Sequence, residues 1–214
     1  MKNKVIINID INNKEWYWPS KDISSWVGQH QSINLVNHIM PFVRNTKVMI
    51  QAGGNCGLIL STFLDKFETI YTFEPDPINF YCLNLNVTDE KVIKLQTCLG
   101  YERSTVDVKH LSEGNCDIGG SHVSGEGKIP MITIDSLNLS ACDLIQLDIE
   151  GYEYEALLGA KATIEKYKPV LCVEFYEPWS LRYGHTSAKI IELIESLGYK
   201  LATNYTQDNI FIPE

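Results

Sequence analysis

From Lys47 onward short apolar runs alternate with helical stretches, and this rhythm constrains the fold more than any other feature of the sequence. Residues 48–52, 69–73, 92–98, 144–149 and 170–175 have the length and apolar content of buried strands. Residues 58–67, 78–86, 152–166 and 187–197 have helical spacing, with Pro77 suited to a first helical position and Gly198 to a left-handed cap. Two closing strands are expected at 200–203 and 209–212. Strands alternating with helices of this length build βαβ units, so the expectation is an α/β fold: a mostly parallel sheet with helices on both faces. Such sheets bind ligands beyond the carboxyl ends of their strands.

The first forty-odd residues have a different texture. Residues 5–11 alternate apolar and polar side chains and are followed by Trp16, Tyr17 and Trp18, which suggests a strand or hairpin. Ile33, Val36, Ile39 and Met40 space out an amphipathic helix over 29–43. The expected division is an N-terminal cap segment, 1–46, laid on a main domain, 47–214. A second irregularity lies between the third and fourth core strands. Residues 106–111 and 128–134 read as strands, and 112–127 as a Gly/Ser-rich loop over the carboxyl edge of the sheet.

Composition narrows the function classes. Apolar residues make up 44% of the 214, enough for a core without disulfides. Six cysteines show no Cys-x-x-Cys pair or zinc spacing, so free thiols in a reducing compartment are expected, and no metal site. The net charge of −9 argues against a nucleic-acid partner. No apolar run is long enough to span a bilayer, and the apolar stretch near the start is too short for a signal peptide, so a cytoplasmic protein is expected.

The strongest local signal is Gln51-Ala-Gly-Gly-Asn-Cys-Gly57, between the first core strand and its helix. Glycines there admit a ligand to the backbone, and the helix start offers free N–H groups. Glu74 follows seventeen residues after Gly57 at the end of the second core strand, where a carboxylate accepts both hydroxyl protons of a ribose. Loop and acid together point to adenosine recognition. A loop one residue from the dinucleotide fingerprint leaves an NAD-type oxidoreductase open.

Residues 48–57, Phe73-Glu-Pro-Asp76, Thr133-x-Asp135, Asp148-x-Glu-Gly-x-Glu153 and 169–174 fall in the order and spacing of the FkbM methyltransferase family, which the chain resembles over roughly 47–200. The resemblance implies a Rossmann-like class I methyltransferase fold with a seven-stranded sheet in the order 3-2-1-4-5-7-6. It implies S-adenosyl-L-methionine as donor, S-adenosyl-L-homocysteine as product, and a hydroxyl of a sugar, glycolipid or small metabolite as acceptor. A donor-binding protein without catalysis stays open beside it. The chain departs from the family at Gln51, where Asp is usual, and at Gln146, where Lys is usual.

The donor-binding set expected from this reading is Gln51, Gly53, Gly54, Asn55, Gly57, Glu74, Pro75, Asp76, Leu99 and Asp148. Asp148, at the end of the fourth core strand, is expected to orient or deprotonate the acceptor hydroxyl, a helix cap being the structural alternative. Glu174 is expected as a second carboxylate in the same crevice. His122 in the loop is the candidate base near neutral pH, against the commoner solvated histidine. His185, His30, His38 and His110 are weaker candidates. Glu150 and Glu153 read equally well as first-turn helix acids, and Tyr152, Tyr176 and Trp179 as an acceptor wall or as packing. The strand-four end lacks the [DN]-P-P-[YFW] pattern with which amino-methylating enzymes hold a base nitrogen.

Overall fold

A computed structural model describes residues 6–11, 14–20, 32–109 and 120–214. A hairpin of β1 (Ile6–Ile11) and β2 (Lys14–Pro19) precedes α1 (Leu35–Ile39), which is flanked by the 3-10 turns Ser32–Asn34 and Met40–Phe42. Next come β3 (Val48–Ala52), α2 (Leu58–Ser61), β4 (Thr69–Phe73), α3 (Pro77–Asn86) and β5 (Val92–Leu95). Four short strands follow: β6 (Cys98–Leu99), β7 (Ser104–Lys109), β8 (His122–Glu126) and β9 (Ile129–Ile132). The chain then runs through β10 (Leu144–Leu147), α4 (Glu153–Leu158), α5 (Lys161–Tyr167) and β11 (Val170–Glu174). It closes with α6 (Glu177–Ser180), α7 (Ser187–Ser196), β12 (Tyr199–Tyr205) and β13 (Asp208–Pro213).

The central sheet has the order β12-β13-β11-β10-β3-β4-β5. Numbered along the chain within this sheet, that is 3-2-1-4-5-7-6, the expected order. β10 pairs in parallel with β3 and β11, and β4 with β3 and β5; β13 alone runs antiparallel to its neighbours β11 and β12. The reversed strand separates this sheet from the 3-2-1-4-5-6 order of dinucleotide-binding folds. β3 and β10 sit centrally because every one of their residues is apolar or fully covered, as a strand buried on both faces requires.

Alternate strand residues feed two cores. Ile50, Ile145, Leu147 and Leu171 pack against Ala156, Leu157, Ile164, Ile190 and Leu193 of α4, α5 and α7. Met49, Ile70, Leu144 and Cys172 pack on the other face against Leu35 and Ile39 of α1, Leu60, Phe63 and Leu83. The hairpin docks on this second side. Trp16 packs on Leu58 and Ile33, and the Asn86 side chain pairs with both backbone groups of Tyr17, at 2.8 and 2.9 Å.

Three local expectations change. The run 92–98 divides, since β5 ends at Leu95 and Cys98–Leu99 joins a second sheet of order β6-β9-β7-β8. The expected loop 112–127 contains a strand, β8, antiparallel to β7; Val123 packs toward Val106 and Met131 while Gly125 and Glu126 stay exposed. Residues 110–119 lie outside the described residues. The helix expected over 152–166 breaks at Gly159, where only glycine fits: the Gly100 carbonyl oxygen would stand 2.0 Å from any Cβ there. Asp135 restarts it, accepting from Ala162 N and Thr163 N at 3.1 and 2.8 Å, so the Thr-x-Asp segment has a structural role. Thr133 likewise caps the turn Ile134–Leu137. Cys56, Cys82, Cys98, Cys142 and Cys172 are buried and form no disulfide, and Cys116 lies outside the described residues. Among the described residues no helix is long and apolar enough to cross a membrane.

Candidate active site

The glycine loop hangs on the neighbouring strand. Gly53 N and Gly54 N both donate to the Phe73 carbonyl, at 3.1 and 2.9 Å. Gly53 has φ +86°, and a Cβ there would lie 1.9 Å from the Asp148 carbonyl oxygen. Only glycine fits, and it brings the loop against the end of β10. Asn55 also holds a left-handed backbone, φ 44°, its amide donating to Glu74 Oε2 at 2.7 Å. Glu74 Oε1 accepts from Asp76 N at 2.8 Å.

Glu74 is thus buried at the end of β4 with two backbone partners, and burial, opposed by those amides, pushes its carboxyl up to about 8. Each of its oxygens keeps a second lone pair for a ribose hydroxyl. The loop and Glu74 therefore fit an adenosyl donor. Asp76 is occupied structurally, its carboxylate capping α3 through Ile78 N and Asn79 N at 2.8 and 2.9 Å. Pro75 is half-buried between the two acids, and Leu99 is buried in the core with Phe73 and Ile134. Gln51 is 1% exposed and spent locally, accepting from Thr72 Oγ1 and donating to the Gly53 carbonyl at 3.0 Å. It braces the loop from beneath.

At the carboxyl end of β10 the chain turns through Glu150 and Gly151, both with positive φ (57° and 99°). Such strain collects where a fold fixes a site. Glu153 ties the turn down, its Oε1 accepting from Ile149 N at 3.0 Å and Gly151 N at 3.2 Å. Asp148 does not cap the helix that follows, whose N-cap residue, Tyr152, carries no side-chain cap. Asp148 is hydrogen-bonded instead to Glu174 at the end of β11. Burial raises the Asp148 carboxyl, and the charge of Asp148, followed by burial, raises Glu174. Two carboxyls this close share a proton.

β13 brings a third acid that sequence reasoning missed. Glu174 and Asp208 are partners in the antiparallel register, and Cys172 Sγ donates to Asp208 Oδ1 at 3.7 Å. Asp208 is invisible from sequence as a site residue because only the reversal of β13 sets it beside Glu174. Burial raises it to about 7, and Glu153 also to about 7. Under this row lies Gln146, 0% exposed, with neither Nε2 nor Oε1 hydrogen-bonded.

His122 opens β8, the outer strand of the second sheet, with Nδ1 3.4 Å from the Gly120 carbonyl. His185 joins Glu155 (2.6 Å) and Lys189 (3.1 Å) and stacks on Tyr154, away from Asp148 in its bonding. His38 stacks on Tyr205, and His30 and His110 lie outside the described residues. Tyr152 meets Tyr183 edge-on at 4.8 Å, and Tyr176 meets Trp179 at 5.0 Å. Among the described residues no three metal-ligating side chains converge.

The raised carboxyls reverse the usual acid lability. Glu74, with an ordinary value of 4.5, holds a proton in the folded state up to about 8, whereas the unfolded chain releases it near 4.5. Stability from this group is therefore greatest at the low end of that window and falls as pH rises, and Glu153 and Asp208 act in the same sense up to about 7. The Tm should drop by at least about 2–4 °C between pH 6 and pH 8.5, the equivalent of roughly 1 kcal/mol for a chain of this size. Differential scanning calorimetry checks this, and a Tm that rises over the interval contradicts it.

Comparison with known proteins agrees with this fold. Among solved structures, a methyltransferase FkbM from Methylobacillus flagellatus KT is 22% identical, with a TM-score of 0.51 over 78% of this chain and 43% of that one. An O-methyltransferase family protein from Burkholderia thailandensis is 12% identical, with a TM-score of 0.51 over 90% and 58%. Trm5b from Pyrococcus abyssi is 14% identical, with a TM-score of 0.50 over 99% and 56%. The chain spans about half the length of these proteins, and at such identities the likeness is one of fold. No curated protein matches it. The profile of the methyltransferase FkbM domain matches residues 55–201, well over half of the sequence, and the chain belongs to this family of S-adenosyl-L-methionine-dependent methyltransferases.

Proposed function

We propose that the chain moves a methyl group from S-adenosyl-L-methionine to a hydroxyl oxygen of a sugar, glycolipid or small metabolite. The observation that carries this reading is the Asp148–Glu174 pair at the strand ends where the Asp148 backbone meets Gly53 of the donor loop. The donor, when bound, supplies an electrophilic methyl on a positively charged sulfur. Glu74 and the 53–57 backbone hold its adenosine end. Asp148, raised by burial, accepts the proton of the attacking hydroxyl and holds that oxygen in line. Glu174 shares the proton and keeps the pair singly ionised. Residues 1–46 are proposed as a cap over the crevice, consistent with Asn86 bonding both Tyr17 and, at 2.8 Å, the Cys56 carbonyl of the loop.

Transfer of labelled methyl from the donor to a panel of hydroxyl compounds tests this, with NMR locating the new methyl. Product methylated on oxygen supports the reading, whereas methyl on nitrogen or carbon alone overturns it. Glu74→Ala should weaken S-adenosyl-L-homocysteine binding by about 2–3 kcal/mol, the loss of two hydrogen bonds in a buried site. Calorimetric Kd values for parent and variant check this. Equal affinities would remove Glu74 from the donor site.

A further inference from the structure

Methyl transfer to a hydroxyl leaves open what else the acceptor carries. Asp148, Glu174 and Asp208 stand in a row across the carboxyl ends of β10 and β11 and the start of β13. Asp208 is 7% exposed, and among the described residues none of the three has an ion-pair partner. Their hydrogen bonds run to each other or to a thiol. Carboxyls withdrawn from water are ordinarily paired with a cation.

The floor beneath the row is equally unmatched. Gln146 stands two residues before Asp148, and side chains two apart on a strand share a face. In the strand registers it lies between Gln51 and Cys172. Gln51 is hydrogen-bonded through both its carbonyl and its amino group, yet the Gln146 amide has neither engaged, at 0% exposure. A buried amide left unmet under uncompensated acids is a costly arrangement for a core and a sensible one for a ligand's polar head.

We propose that the acceptor is a hydroxyl compound bearing a protonated amine, such as an amino sugar or an amino alcohol, whose ammonium group is held by Glu174 and Asp208 with Gln146 Oε1 as a further acceptor. This rests on the methyl-transfer reading and names its substrate class. An ammonium offers three donors and no acceptor, which matches a site rich in acceptors. Its hydrogen bonds to carboxylates are charge-assisted, and an N-acetyl group in its place offers a single neutral donor and more bulk.

The test uses the full chain saturated with S-adenosyl-L-homocysteine, so that the donor's own amino group is already in place. Matched pairs are titrated by calorimetry: glucosamine against N-acetylglucosamine, and tyramine against N-acetyltyramine. The amine of at least one pair should bind about tenfold more tightly or better. Asp208→Asn should reduce that advantage to under about threefold with S-adenosyl-L-homocysteine affinity unchanged. Gln146→Leu should weaken the amine while raising the melting temperature, a combination that a purely structural glutamine would not produce. N-acetyl partners binding as well as the amines, or neither amine binding while the thioether product does, overturns the proposal. Failure of S-adenosyl-L-homocysteine to bind at all would instead overturn the methyl-transfer reading beneath it.

Discussion

Asp148→Asn should lower turnover by about 10²–10⁴-fold, the range for loss of a positioned general base, while binding S-adenosyl-L-homocysteine like the parent protein. Asparagine keeps the shape of the side chain and loses the ability to take a proton. Glu174 is the obvious substitute, but its carboxyl is raised chiefly by the charge of Asp148. Without that charge Glu174 falls back toward an ordinary, weaker base. The residual activity should therefore have an acid limb displaced to lower pH. Steady-state kinetics against pH, alongside calorimetry with the product, separates the two effects. Parent-like turnover on the true acceptor would take Asp148 out of the chemistry.

Gly53→Ala should cost as much by a different route. The added Cβ would fall 1.9 Å from a backbone oxygen at the end of a buried strand, and φ +86° is strained for any L side chain. That oxygen is backbone and not the end of a flexible side chain, so the loop must move. The expected destabilisation is about 2–4 kcal/mol, seen as a Tm lowered by several degrees, and donor binding should fall at least about a hundredfold as the loop leaves Asp148. Gly125→Ala is the control. It has φ +62° and no atom within 4 Å of its Cβ position, so it should lose only about 1–2 kcal/mol, the cost of the backbone conformation alone. Equal losses in the two variants would mean that the close approach at Gly53 is unimportant.

What was legible in the sequence follows the physics of each part. Val48–Ala52 and Leu144–Leu147 announce themselves because strands buried on both faces are near-continuous apolar runs. The glycine loop and Glu74 are legible because a tight turn and a strand-end acid leave a fixed spacing. β8 was hidden: Gly125 and Ser124 carry no strand preference, and only pairing with β7 and the packing of Val123 hold that segment extended. Residues that read as ligand contacts in the Phe73-Glu-Pro-Asp76 run divide in the structure, since Asp76 serves a helix start. The third acid, Asp208, and the unmatched Gln146 depend on strand register across the sheet. No local pattern encodes that. Gln51 and Gln146 are register neighbours on adjacent strands.

Donor recognition by the glycine loop and Glu74 is the claim on which the rest stands, and calorimetric titration of the full chain with S-adenosyl-L-homocysteine, with NADH in parallel, tests it most directly. Binding on the order of micromolar Kd for S-adenosyl-L-homocysteine, and no heat from NADH, is the predicted result. Saturable binding of NADH alone, or of neither compound, would contradict it.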